Sequence, residues 1–170
     1  MEILIIGIGV VALMVWASTR IKRNAAAAFN AEPIETDKFT LQKPDGWLSK
    51  VDPKEPYIFE AYSKDFGEEP NQGVRLGTAA IAVSHGVVDD IAAQRTTEGE
   101  VTDDLREVVG GKHYRIIELT RSGEDSDELE WLKFADADGT VYTLRVTALA
   151  ETTDEFRRNI EAMVDSFEIK

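Results

Sequence analysis

The sequence predicts an α+β domain carried on a single N-terminal transmembrane helix. Three observations support this prediction. An uncharged, mostly aliphatic run occupies residues 3–17, strand-like segments outnumber helical ones after it, and an amphipathic helical pattern closes the chain. The strand-like segments follow one another through turn residues, which favours antiparallel pairing. We therefore expect an antiparallel sheet with helices packed on it.

The N-terminal run is long enough to span a bilayer. Residues 1–19 carry one charged side chain, Glu2, and a spanning helix needs about 20 residues. The basic residues follow the run, whereas a cleaved signal peptide carries its positive charge before the run, so we predict a retained anchor. The residues assigned to the anchor are Ile3, Ile5, Ile8, Val11, Leu13, Trp16, Arg20, Lys22 and Arg23.

The basic flank also predicts the orientation of the chain. Short flanks rich in lysine and arginine stay on the cytoplasmic side of a membrane. We expect a single-pass protein of the inner (cell) membrane, with its N-terminus outside and its C-terminal domain in the cytoplasm. The anchor and its flank would occupy residues 1–23. A helical extension ending near Ala31 and a linker would occupy 24–37, and the α+β domain would occupy 38–170.

Six strand-like runs are predicted in the domain. They lie in 38–48, where Pro44 ends the run, in 56–63, 74–85 and 112–121, and twice in 129–150. Glycine and alanine in 74–85 indicate a place where a helix packs closely on the sheet. Asp138-Gly139 predicts a hairpin turn between the last two runs.

Helices are predicted between and after these strands. In 87–111, Asp89 or Asp90 would cap one short helix. Thr102 would cap another that ends at Gly110, with Leu105, Val108 and Val109 facing inward. A C-terminal helix would start at a capping box formed by Thr152 and Glu155. Its apolar face would comprise Phe156, Ile160, Met163, Val164 and Phe167, packed on the sheet near Trp131 or Leu132.

Both ends of the domain resemble the PsbP-like superfamily. "FTLQKPDGWL" (39–48) is similar to its opening strand, and "LEWLKFADADGTVYTLRVTAL" (129–149) followed by "FRRNIEAMVDSFEI" (156–169) is similar to its closing hairpin and helix. The superfamily includes the photosystem II extrinsic subunit, DcrB-type lipoproteins and a Ran-binding release factor. The resemblance implies an α-β-α sandwich and a non-catalytic role in binding or assembly. It also suggests photosynthesis as one process in which the protein could act.

No residue set predicts catalysis, a cofactor or a metal. Cysteine is absent, which excludes thiolate chemistry. His85 lies near Ser84 and Asp89, but adjacent residues on a strand point to opposite faces, which disfavours a catalytic triad. The "DADG" at 136–139 places Thr147 where a calcium loop needs a glutamate, so a hairpin turn is the better interpretation. His113 is expected on the surface.

These observations predict a non-catalytic, membrane-anchored accessory subunit or assembly factor. Its partners would be the lipid bilayer and an integral membrane protein complex. The net charge of −13 disfavours nucleic acid and favours a basic protein surface, which the acidic segments 65–69 and 124–130 would meet. The alternative is a small-ligand or lipid-binding domain tethered to the membrane.

Overall fold

A computed structural model describes residues 13–20, 22, 26–123 and 126–170. Residues 13–20 are helical. The strands of the domain are β1 (Glu32–Glu35), β2 (Phe39–Lys43), β3 (Trp47–Ser49), β4 (Tyr57–Ser63), β5 (Gly77–His85), β6 (Glu100–Val109), β7 (Lys112–Ser122), β8 (Asp127–Ala137), β9 (Thr140–Leu149) and β10 (Glu168–Ile169). The helices of the domain are α1 (Val88–Arg95) and α2 (Asp154–Asp165).

The strands form two antiparallel sheets. The larger sheet has the order β3-β4-β5-β9-β8-β7-β6, and the smaller one has the order β1-β2-β10. The β8–β9 hairpin lies near the middle of the larger sheet and turns at Asp138 and Gly139, both with positive φ. The hairpin predicted at this dipeptide is therefore confirmed.

Helices cover both faces of the larger sheet. Along β8, Trp131 and Ala135 face the core that α2 completes, whereas Leu132 and Phe134 face the core that α1 completes. This alternation is what a strand buried on both faces requires. The predicted α+β class with an antiparallel sheet is confirmed. Of the two contacts proposed for the C-terminal helix, Trp131 shares its core and Leu132 lies on the other face.

The C-terminal helix begins one residue later than its sequence predicts. Thr153 is the N-cap residue, and its hydroxyl oxygen accepts a hydrogen bond of 3.2 Å from the backbone nitrogen of Phe156. The predicted capping box at Thr152 is therefore wrong. The predicted apolar face is right, since Ile160, Met163, Val164 and Phe167 are buried and Phe156 packs at the edge of the same core.

The helix predicted to begin at Thr102 is wrong, because residues 100–109 form strand β6. Gly110 and Gly111 both adopt positive φ, at 58° and 80°, and join β6 to β7 in a hairpin. Leu105 and Val108 are 54% and 60% exposed rather than inward-facing. The helix predicted before them exists as α1, but its N-cap residue makes no side-chain capping bond, and both aspartates lie in its first turn.

The segment expected to be a linker contains a strand. Residues 32–35 form β1, which pairs with β2 from Glu32 opposite Lys43 to Glu35 opposite Thr40. Pro33 is tolerated there because β1 is an edge strand, where a missing backbone N–H breaks no ladder. The folded domain therefore begins closer to the N-terminal helix than the sequence suggested.

Candidate functional site

The predicted anchor is only partly within the described residues. Leu13, Trp16, Arg20 and Lys22 are described, whereas Ile3, Ile5, Ile8, Val11 and Arg23 lie outside them. The side chains from Leu13 to Trp16 are between 59% and 66% exposed. The Arg20 guanidinium carbon lies 5.3 Å from the centre of the Trp16 ring. Among the described residues, none of the helices combines the length and apolar character that crossing a bilayer requires.

A buried lysine fastens the N-terminal segment to the domain. The ammonium group of Lys43 is fully buried and donates to the carbonyl oxygens of Ala28, at 2.8 Å, and Trp47, at 2.7 Å. A carboxylate oxygen of Glu32 lies 3.2 Å from the same nitrogen. The backbone nitrogen of Gly46 also donates to the carbonyl oxygen of Phe29 at 2.7 Å. The residues that follow the N-terminal helix are therefore held against the turn between β2 and β3.

Ser84 and His85 line the same cavity but form no catalytic arrangement. No hydrogen bond in the described part of the chain joins their side chains. Asp89 instead accepts bonds from Arg106 at 2.8 Å and Arg115 at 2.9 Å. His113 is exposed on β7, as predicted. Within the described residues there is also no cluster of three or more acidic or histidine side chains suited to a metal ion.

The cavity beside α1 has a volume of about 580 Å³. It is lined by Ser84, His85, Ile91, Gln94, Arg95, Glu98 and Arg121. Arg121 is already engaged, because it donates to the carbonyl oxygen of Arg95 at 2.6 Å and pairs with Glu130. Glu98 and Glu130 thus both pair with Arg121, Arg95 forms no ion pair among the described residues, and the lining is mostly polar.

Glu130 is a buried carboxylate held by two arginines. Its side chain is 1% exposed and pairs with Arg121 and with Arg145, the second pair at 2.5 Å. These three side chains lie on the α1 face of β7, β8 and β9, beyond the end of the helix. Glu130 belongs to the acidic segment 124–130, but its carboxylate is buried and paired with arginines of the same domain.

The acidic segment 65–69 also has internal contacts. The Arg75 guanidinium lies 4.0 Å from the Phe66 ring centre and 4.6 Å from that of Tyr62. The backbone nitrogen of Glu68 donates to a carboxylate oxygen of Glu151 at 3.3 Å. The aromatic and cationic contacts fix the loop against β4, which leaves its carboxylates on the outside.

The most exposed strand of the larger sheet is β6, which lies at its edge. It pairs with β7 on one side, and its other side faces no strand among the described residues. Most of its residues are exposed. The opposite edge of the sheet, β3, has only three residues. We call the outer side of Glu100–Val109 the β6 edge.

Acidic side chains surround the β6 edge on the face that α2 covers. Asp103 lies opposite Glu118 in the β6–β7 ladder. Burial, followed by the charge of Glu161 on α2, raises the pKa of the Glu118 carboxyl. On the other face, the Arg115 guanidinium binds Asp104 through two hydrogen bonds and holds the pKa of that carboxyl below its ordinary value. The α2 face of the edge therefore carries Asp103 and Glu118, neither of which forms an ion pair within the described part of the chain.

Sequence reasoning missed the buried charges, although one signal was present. Phe39, Leu41 and Lys43 alternate on the inward side of β2, and all three are buried. A lysine in the inward register of a strand must find hydrogen-bond acceptors there. Lys133 on β8 is a second buried lysine, and its ammonium nitrogen lies 3.0 Å from a carboxylate oxygen of Glu107.

No protein-family model matches the chain, and no curated protein matches it. Solved structures do. Cyanobacterial PsbP (CyanoP) from Synechocystis sp. PCC 6803 superposes with a TM-score of 0.55 at 12% identity, over 84% of this chain and 94% of that one. LpqN of Mycobacterium tuberculosis gives 0.56 at 13% identity, over 83% and 91%. The Saccharomyces cerevisiae Ran-binding protein Mog1p gives 0.53 at 11%, over 83% and 96%.

These superpositions cover the domain and nearly the whole of each neighbour. At such low sequence identity they show the fold alone. The chain has the PsbP-like superfamily fold, as its two ends predicted.

Proposed function

We propose that this PsbP-like chain is a non-catalytic accessory subunit, anchored in a membrane, that binds an integral membrane protein complex. The observation that carries the proposal is the exposure of Leu13, Met14, Val15 and Trp16. Four consecutive large apolar side chains, each more than half exposed, require cover from something outside the domain. They continue the apolar run of residues 3–12, and a bilayer covers both.

The contacts of Lys43 support a short, firm connection between anchor and domain. Because Ala28 and Phe29 are bonded to the domain, few residues separate the basic flank from the folded part. A domain held this close to the membrane meets its partner at a high effective concentration, so weak contacts are sufficient. The basic flank favours the cytoplasmic side for the domain.

The neighbours in fold support a binding role. Mog1p is described as a Ran-binding protein, and LpqN as involved in cell envelope biogenesis. Neither description names a reaction. By analogy of fold alone, we infer that this chain also acts through contacts with another protein and not through chemistry.

Membrane association is tested with charges placed in the exposed apolar residues. A double variant, Leu13→Lys with Val15→Lys, should release the full-length protein from membranes during an alkaline carbonate wash, because two charges in a span oppose insertion. Val51→Lys is the matched control, since Val51 is fully exposed in a loop of the domain. A wild-type protein that the same wash removes from membranes would overturn the anchor.

The accessory role is tested in the same membranes. After solubilisation in mild detergent at low salt, the wild-type chain should migrate on a native gel with a larger membrane complex in fixed stoichiometry. A protein that stays in the membrane fraction but always migrates alone would retain the anchor and refute the subunit role. A reporter fused after Lys170 that is active only outside the cytoplasm would refute the orientation.

A ligand-binding domain is the alternative function. The cavity of about 580 Å³ beside α1 is the feature that favours it, since it presents Arg95, Gln94 and His85 to solvent. Its polar lining suits a small polar ligand rather than a lipid. Titration of the purified protein with inorganic phosphate and with a dicarboxylate tests this function, and Arg95→Ala should abolish any binding that depends on the cavity.

A further inference from the structure

The β6 edge has a long row of backbone groups that no strand of the described part of the chain pairs with. In an antiparallel ladder, every second residue of an edge strand directs its N–H and C=O groups away from the sheet. Such a row is a template for pairing with another extended chain. β6 offers ten residues for this purpose, whereas the opposite edge offers three.

The side chains of the β6 edge alternate between charge and apolar surface. On the face that α2 covers, Asp103, Leu105 and Glu107 follow one another, opposite Glu118, Ile116 and Tyr114 of β7. Leu105 is 54% exposed although it lies next to the half-buried Ile116. The pattern on this face is therefore acidic, apolar, acidic, with the apolar residue uncovered.

The negative charge of this face is in excess. Asp103 receives a hydrogen bond only from the adjacent backbone nitrogen of Asp104 and forms no ion pair among the described residues. On the neighbouring strand, burial raises the pKa of Glu118, and the charges of Glu161 and Asp103 add to that effect. A contact with Trp131 and the charge of Arg157 oppose it. Lys133 offsets one carboxylate, that of Glu107.

We propose that the β6 edge binds an extended basic segment of a partner protein, which adds to the sheet as an eighth strand. The segment would place two basic side chains opposite Asp103 and Glu107 and an aliphatic side chain between them, over Leu105. Backbone hydrogen bonds would provide affinity, and the charge pattern would provide selectivity. The inference deepens the accessory-subunit function and rests on it, because it names the chemistry of the partner.

The same features disfavour a second copy of this chain at the edge. The chain carries a net charge of −13, and two β6 edges would bring like charges together. The ladder is also bulged between Val101 and Asp103, and bulges and charges are the devices by which edge strands avoid pairing with themselves. A basic strand is attracted by the charges that repel another copy.

The test uses the full-length protein in mild detergent and a short synthetic peptide. The peptide alternates lysine and threonine around a central leucine, with blocked ends. A second peptide has the same sequence with alternate backbone nitrogens methylated, which removes donors for strand pairing and keeps the charge. The methylated peptide should bind at least about tenfold more weakly, because the added strand depends on backbone bonds. Hydrogen exchange should slow at alternate amides of β6 when the first peptide binds.

Two variants with one matched control locate the site. Leu105→Lys and Asp103→Lys should each weaken binding of the unmethylated peptide about tenfold or more. Asp52→Lys makes the same charge change as Asp103→Lys in an exposed loop, and its binding should stay within about twofold of the wild type. Glu107 is left intact because its replacement would leave the buried ammonium group of Lys133 without its carboxylate partner.

Three outcomes would overturn the inference. Equal binding of both peptides would show simple charge attraction without strand addition. Equal loss in Asp52→Lys would show that the site is not at β6. A dimer that forms without peptide and disappears in Leu105→Lys would make a second copy the occupant. Because peptide binding is measured independently of membrane association and native-gel migration, its failure leaves the accessory-subunit function standing.

Discussion

The rings of Trp47 and Phe156 stack with their centres 5.8 Å apart and their planes inclined by 21°. Trp47 comes from the short strand β3 and Phe156 from the first turn of α2, so this pair ties one end of the larger sheet to the helix. The pair closes over Gly77. A methyl group on Gly77 would lie 2.9 Å from Trp47 and 3.0 Å from Phe156.

Gly77→Ala should therefore destabilise the domain. The added methyl group must displace one of the two rings, and overpacking of this kind costs about 1–3 kcal/mol of unfolding free energy. Urea unfolding followed by tryptophan fluorescence measures the loss. A double-mutant cycle supplies the control, because Gly77→Ala should cost less in a Phe156→Ala background. An equal cost in both backgrounds would show that the ring of Phe156 is not the obstacle.

Lys43→Met should loosen the N-terminal segment as well as weaken the domain. The methionine fills the buried space of the lysine chain but leaves two carbonyl oxygens without their donor, at a cost of about 2–3 kcal/mol. Trypsin should then cleave at Arg23 faster than in the wild type. Gly77→Ala, with a comparable loss of stability, is the matched control, since in that variant Lys43 still holds the N-terminal segment against the domain. Equal acceleration in both variants would attribute the cleavage to general destabilisation.

Glu118→Gln should stabilise the protein near neutral pH. The pKa of Glu118 is raised above its ordinary value of 4.5, first by burial and then by the charge of Glu161. Asp103 adds to the effect, and Trp131 and Arg157 oppose it. A raised pKa in the folded state means that the protonated form stabilises folding fully below the unfolded pKa. This stabilisation is lost as pH rises through the folded pKa. The variant keeps a neutral side chain throughout.

The pH dependence of the difference is the measurement. The unfolding free energy of Glu118→Gln should exceed that of the wild type at pH 7, and the gap should narrow as pH falls through the raised pKa of the folded state and be smallest below the ordinary value of 4.5. Asp52→Asn, in an exposed loop, controls for the change in net charge. A gap that stays constant from acid to neutral pH would show that ionisation of Glu118 does not oppose folding.

Glu130→Gln should be markedly destabilising, and Glu98→Gln should not. The buried Glu130 carboxylate serves two arginines, and removing its charge leaves both without their main partner, at a cost of about 2–3 kcal/mol. Glu98 is 89% exposed and lies 3.7 Å from Arg121, so its replacement should cost less than about 0.5 kcal/mol. Thermal unfolding of the two variants and the wild type measures both losses of stability, and equal losses in the two variants would contradict the prediction.

Sequence patterns correctly predicted the elements whose structure is determined by residues close together in the chain. The Asp138-Gly139 turn and the amphipathic face of α2 both appear where expected. Residues 102–109 were misassigned because Thr102, Leu105 and Gly110 also fit a capped helix ended by glycine. The Gly110-Gly111 pair equally fits a hairpin turn, and pairing with β7 makes the segment a strand rather than a helix. That choice depends on a neighbouring strand, which a local pattern does not contain.

The β6 edge could not be predicted from the sequence for the same reason. Asp103, Leu105 and Glu107 become an acidic and apolar surface only as residues of a strand, where side chains two apart share a face. As residues of a helix they would have been spread around its circumference. The buried position of Lys43 was closer to prediction, because its alternation with Phe39 and Leu41 already placed it inward.

The smaller sheet has a consequence for the order in which the chain folds. Its central strand β2 pairs with β1 immediately before it and with β10 near the other end of the sequence. The backbone nitrogen of Gln42 donates to the hydroxyl of Ser166, 124 positions later. During synthesis, β2 must wait for that segment to emerge, and contacts so distant in sequence slow folding. With the proposed anchor, the N-terminal helix would reach a membrane while the domain is still incomplete, and the last stage of folding would take place on the tethered chain.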